Sequence, residues 1–241
     1  MQKQLTLNEN QFVAGMRSGI PIAIGYIPIA LAFGLLAKSG GVPNHVAVLL
    51  SMLVFAGASQ FVAVNMLIAG INPWQIVITT FILNFRHFLM SSSLALRLEP
   101  GISRGMLSLL SFGITDETFS VASLSERDKL PLSYVLGLAV TGYGAWNLGT
   151  IAGVLVASGL PPLLADSMGI ALYAMFIGLL VPAAVKSLPL VMVAVTAMAA
   201  RSLLRWLPFV DISPGWEIIV CTILGAGVGA IFYPERGDDN E

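Results

Sequence analysis

Continuous apolar runs, each close to the ~20 residues a helix needs to cross a bilayer, alternate with short polar or glycine/proline-rich turns along this chain. They predict spans over 18–37, 46–71, 73–96, 131–157, 167–185, 188–207 and 214–233. The runs do not alternate polar with apolar residues, which excludes a transmembrane β-barrel. Backbone groups in lipid need internal partners, so the spans are helices. The segment 105–124 differs: Ser108, Ser111, Thr115, Asp116, Glu117, Thr118 and Ser120 make it too polar to face lipid. The expectation is an all-α integral membrane protein, in one domain, with about seven transmembrane helices and one polar, re-entrant or broken helix.

The spans are unevenly built. Gly19, Pro21, Gly25, Pro28 and Gly34 interrupt the first, where each proline removes a donor and predicts a kink or a break. The second holds Phe55-Ala56-Gly57-Ala58-Ser59-Gln60-Phe61 and Asn65. The third carries Asn84-Phe85-Arg86-His87 near its middle, where an arginine alone costs about 3 kcal/mol. Thr80, Asn84, His87 and Ser91 fall on one helical face, and Gln75, Thr79, Arg86, Ser93 and Arg97 on roughly the opposite one. Asp116-Glu117 is the natural counter-charge for this span, and Tyr143, Trp146, Asn147 and Thr150 cluster in another. The turn 39–43 resembles the turn 158–162. If 105–124 does not cross, the halves 18–97 and 131–207 would form an inverted repeat. In that arrangement the positive-inside rule favours an outside N-terminus, with Lys38, Arg97, Arg104, Arg127, Lys129, Lys186 and Arg236 cytoplasmic. Lys3, Arg17, Arg201 and Arg205 would be outside, the last two reaching for water, and the tail 234–241 is expected to fray.

Composition narrows the function. Of 241 residues, 56% are hydrophobic and only 10% charged, against about 25% in a soluble domain. The net charge of −1 and the lack of a basic tract argue against nucleic acid. Cys221 stands alone, so no internal disulfide forms. The first 17 residues lack a signal-peptide pattern, leaving insertion to the spans. No Gly-Lys-Ser/Thr nucleotide loop, zinc-like spacing or nucleophile motif occurs, which speaks against an enzyme, a metal or a cofactor. Intramembrane polar residues of both signs, with interrupted helices, point to a secondary transporter or channel. A passive channel for a small polar solute and a scaffold subunit are the alternatives.

Gly19-Ile20-Pro21, Phe55 to Phe61, Asn84-Phe85-Arg86-His87, Gly113-Ile114-Thr115-Asp116-Glu117 and Gly142-Tyr143-Gly144-Ala145-Trp146-Asn147 together resemble the AzlC family. These are large subunits of bacterial branched-chain amino-acid exporters of the AzlC/BrnF type. The resemblance implies a multi-pass protein of the bacterial inner membrane that exports valine, leucine, isoleucine or a similar amino acid such as methionine. It also implies proton coupling and a small hydrophobic AzlD-type partner subunit. An apolar zwitterion needs donors for its carboxylate, acceptors for its ammonium and an apolar pocket. Arg86, or a free helix N-terminus at Gly25–Pro28 or Gly57, suits the first role, and Asp116 or Glu117 the second. Phe55, Phe61, Phe85 and Trp146 suit the pocket, with Gln60, Asn84 and Asn147 as further ligands and His87, Asp116 and Glu117 as proton carriers.

Overall fold

The computed structural model describes residues 9–157, 187–206 and 214–233, with isolated positions at 177, 180–181 and 184–185. The turn 158–162, most of the expected span 167–185 and the tail 234–241 lie outside the described residues. Among those described there are nine α-helices and no strand.

The first helix, α1 (Glu9–Ser39), starts nine residues before the predicted span and runs unbroken through Pro21 and Pro28. Of the kink or break expected there, the break does not occur. Both prolines sit on the exposed side, one heptad apart, while Ile22, Tyr26, Ala30, Phe33 and Ala37 form the buried stripe. That stripe packs against α7 (Leu132–Ala157). Gly15 meets Tyr134, Gly19 meets Thr141 and Gly34 meets Thr150, so the two helices run parallel. Their glycines let the backbones come close, which is how helices associate where no hydrophobic drive separates them from lipid.

The predicted span 46–71 is two helices instead of one. The first, α2 (Asn44–Leu53), turns back from the end of α1, and α3 (Gly57–Ile68) then runs alongside α1 in the same direction. The register is fixed by Tyr26 against Phe55, at 6.1 Å between ring centroids, Phe33 against Phe61 at 5.4 Å, and Gly40 against Ile68. With 10 and 12 residues, the helices reach roughly 15 and 18 Å, half a hydrocarbon core. They form a re-entrant hairpin whose bend, 54–56, lies halfway along α1.

The long helix α4 (Pro73–Arg97) starts where that hairpin exits, under an Asn72 side-chain cap, and descends antiparallel to α1. A second hairpin then enters from the opposite end: α5 (Arg104–Phe112) rises along α4, and α6 (Asp116–Ser123) returns. Its feet are tied down by Arg97, whose guanidinium donates to the carbonyls of Ala122, Ser123, Ser125 and Arg127 at 2.5–3.4 Å. Hydrogen bonds to a charged donor contribute about 1.5–3 kcal/mol each. Arg97→Ala is therefore expected to destabilise the protein by about 3 kcal/mol, with Arg97→Lys recovering only part, read as thermal stability in detergent.

The polar segment 105–124 is thus a re-entrant hairpin. Since neither hairpin crosses, α7 begins beside the N-terminal end of α1, where Arg127 donates to Gln11. The helices heading the halves 18–97 and 131–207 consequently run parallel, whereas an inverted repeat would set them antiparallel. The two hairpins enter from opposite ends. The expected grouping of cations changes too: Arg17, Arg97, Arg104, Arg127 and Lys129 share the N-terminal end of α1, and Lys38 lies at the other.

The last pair, α8 (Leu188–Trp206) and α9 (Pro214–Phe232), pack through Gly225 and Gly229 against Val193, and α9 leans on α4. Arg201 and Arg205, expected to reach for water, are 59% and 73% exposed and also stand 3.0 and 3.9 Å from the Glu217 carboxylate. Phe81, Phe88 and Leu89 of α4 and Met198 and Leu203 of α8 face outward, a large apolar surface that water would not tolerate. Two helices, α1 and α8, have both the length and the hydropathy of a membrane crossing.

Candidate functional site

The two hairpin bends meet halfway along α1, α4 and α7. Phe55 at the first lies 6.5 Å from Phe112 at the second, and both rings touch Tyr143 of α7. Beside them opens a cavity of about 640 Å³, within the range of small-molecule sites.

One wall of the cavity is charged. Arg86 pairs with Asp116 at 2.6 Å, each side chain 38% exposed. The hydroxyl of Tyr26 donates to the Glu117 carboxylate and shares a 2.6 Å hydrogen bond with Thr115. Asp116 and Glu117 stand in the first turn of α6, where a capping box satisfies the amides of Thr115 and Thr118. Carboxylates in that turn are favoured by the helix dipole. The facing hairpin is built the other way. Ala56, before α3, has no side chain to cap it, and Gly57 and Ala58 line the cavity. An uncapped helix N-terminus therefore stands on one side and two carboxylates on the other.

The remaining walls are apolar and aromatic. Tyr26, Phe55 and Trp146 pack edge to face, with Tyr26–Trp146 at 5.3 Å. Gly57 allows this: a Cβ there would come within 2.5 Å of the Trp146 ring. The Trp146 indole donates to Gln60 at 2.8 Å, Gln60 donates to Ser51, and Ser51 bonds Thr150 at 2.7 Å. This buried chain pins the first hairpin to α7.

Of the residues singled out in the sequence, Arg86, His87, Asp116, Glu117 and Trp146 line the cavity together. Arg86 and His87, read as facing different ways, both reach it from adjacent positions on α4. Arg86 Nε and His87 Nε2 are buried there without a protein partner. Gln60 is engaged in the hydrogen-bonded chain behind Trp146 and is not among the lining residues, nor are Asn84 and Asn147. Asn147 bonds the Tyr143 carbonyl one turn back. Tyr26 was not anticipated, although it touches both hairpins and is 5% exposed. A lone tyrosine between Gly25 and Pro28 was its only signal.

Sequence comparison with known proteins identifies the family. The family model described as AzlC protein matches residues 21–160. The chain is 34% identical to the inner membrane protein YgaZ of Escherichia coli over 175 residues, covering 70% of this chain and 71% of YgaZ. It is 39% identical to an uncharacterized membrane protein of Archaeoglobus fulgidus, over 61% of this chain and 63% of that one. With the branched-chain amino acid transport protein AzlC of Bacillus subtilis it shares 33% identity, over 46% of this chain and 45% of the relative. No solved structure matches. The matched residues contain both hairpins, the cavity's charged wall and α7; the chain is a membrane protein and belongs to the AzlC family.

Proposed function

We propose that this chain is the substrate-carrying subunit of a secondary transporter that exports branched-chain amino acids. The observation that carries this reading is the divided cavity. Amide N–H groups at Gly57 and Ala58, with Arg86, suit a carboxylate, and Asp116 and Glu117 suit an ammonium. Tyr26, Phe55, Trp146 and Ile22 offer an apolar, aromatic wall to a branched side chain. An amino acid zwitterion with an aliphatic side chain matches all three surfaces. The name of the Bacillus subtilis relative, a branched-chain amino acid transport protein, supports the same class.

The direction, the coupling and the partner follow from further argument. Five cations at the N-terminal end of α1 against Lys38 at the other, Arg201 and Arg205 aside, favour a cytoplasmic position for that end under the positive-inside rule, in the bacterial inner membrane. This reverses the orientation favoured by the sequence. Carboxylates held at mid-depth suit coupling to the proton gradient, with His87 and Glu117 as the groups within reach. The family resemblance supplies the small hydrophobic AzlD-type subunit.

Efflux of labelled valine, leucine, isoleucine and methionine from loaded cells tests this reading. The chain is expressed with and without its small partner, before and after collapse of the proton gradient. Efflux is expected to need both chains and the gradient. Absence of efflux for all four amino acids would discard the substrate assignment, and gradient-independent equilibration would favour a channel.

A further inference from the structure

Building on that transport reading, we propose that Glu117 binds either a proton or the ammonium of the substrate, never both, so that the chain exchanges one proton for each amino acid. The argument is a charge balance over the cavity wall. Arg86 supplies one positive charge, and Asp116 takes it up at 2.6 Å. Glu117 is left with the Tyr26 hydroxyl, a neutral donor. The groups facing it can be named element by element. They are Tyr26 from α1, Arg86 and His87 from α4, Asp116 from α6 and Trp146 from α7. The first hairpin contributes Phe55, Ala56, Gly57 and Ala58, and α8 only Leu190. Among the described residues, Arg86 is the one guanidinium or ammonium that lines the cavity.

One carboxylate is therefore uncompensated in a setting where unpaired charge is costly. A single positive charge completes the balance. It arrives as a proton on the Glu117 oxygen, or locally as the ammonium of a bound amino acid, whose own carboxylate is taken up by Arg86 and the α3 N-terminus at Gly57 and Ala58. A protonated Glu117 has no charge with which to hold the ammonium, and an ammonium beside it lowers its hold on the proton. When substrate binds, the Glu117 O–H bond breaks and the proton passes to water. When substrate leaves on the far side, the bond re-forms with a proton from that side. Each cycle moves one zwitterion out and one proton in, so one positive charge crosses and the membrane potential contributes to the drive. Asp116 does not share this role, because protonating it would strand Arg86.

The test is proton release on binding, measured with a pH-indicator dye in lightly buffered detergent solution, on the chain purified with its small partner and titrated with leucine from acid to neutral pH. The wild-type protein is expected to release up to about one proton per leucine bound, its affinity weakening about tenfold per unit of acidification where Glu117 is protonated. Glu117→Gln is expected to bind leucine more weakly, release no proton and show a flat affinity profile. Leucine binding without any release by the wild-type protein overturns the proposal, whatever the variants do. So does release that persists in Glu117→Gln. If leucine, valine and isoleucine all fail to bind, the transport reading itself fails and takes this one with it. Binding without release removes the coupling alone.

Discussion

Export by the Arg86→Ala protein is expected to fall about 10- to 100-fold, the equivalent of losing a charged hydrogen bond to the substrate carboxylate at about 1.5–3 kcal/mol. The same substitution strands Asp116, whose carboxylate lies 2.6 Å from the guanidinium. Breaking a fully buried pair costs about 3–5 kcal/mol. Both partners are 38% exposed to the cavity, so the stability loss should be smaller, about 1–2 kcal/mol after allowance for screening. The two effects separate in a double variant. Arg86→Gln with Asp116→Asn removes both charges and leaves no orphaned charge, so thermal stability in detergent should return towards wild type. Efflux should not return, because the carboxylate donor is still absent. Recovery of both would make the pair a structural tie between α4 and the second hairpin, and the substrate carboxylate would have to be held elsewhere.

Much of this site was legible in the chain because charge in an apolar run is conspicuous. Arg86, His87, Asp116 and Glu117 stood out from their neighbours, and the fold brings all four to one cavity. The hairpins were harder to read. Val54, Phe55 and Ala56 join two apolar helices without a proline or a polar turn, so 46–71 reads as one long span. Tertiary contacts make the bend: Phe55 lodges between Tyr26 and Tyr143, and Gly57 gives way to Trp146. The prolines of α1 misdirected the reading for the complementary reason. Their ring faces are turned outward, away from the buried stripe, and the helix continues past them. Gln60 illustrates the limit of polarity as a signal. A buried amide must be satisfied, and here Trp146 and Ser51 satisfy it, which the sequence alone does not distinguish from a waiting ligand. Periodicity reveals which residues avoid water or lipid; the depth at which a chain turns back depends on partners distant in sequence.

The glycines between α1 and α7 carry the second large effect. A Cβ at Gly15 would stand 1.9 Å from the Tyr134 carbonyl oxygen, one at Gly137 2.1 Å from that of Phe12, and one at Gly153 2.2 Å from that of Leu31. Backbone atoms cannot rotate aside as a side chain can, so the helices must separate. Alanine at any of the three is expected to destabilise by about 3 kcal/mol or more, the upper end of overpacking penalties. Thermal unfolding in detergent and the yield of inserted protein would report it. Gly25 and Gly144 lie in the same two helices with nothing within 4 Å of the added carbon. Alanine there should be neutral or stabilising by up to about 1 kcal/mol, since alanine is the better helix former. The contrast tests the fold directly, because the tight positions are tight only if α1 and α7 run parallel. Equal tolerance at Gly15, Gly153 and Gly25 would remove that pairing, and with it the argument that both hairpins are re-entrant. It would also undo the cavity, for Tyr26 reaches Glu117 from α1 and Trp146 closes the wall from α7. A displacement of the interface by one ångström shifts both. A substitution at Gly15, Gly137 or Gly153 that leaves a folded protein should therefore weaken substrate binding before it abolishes insertion.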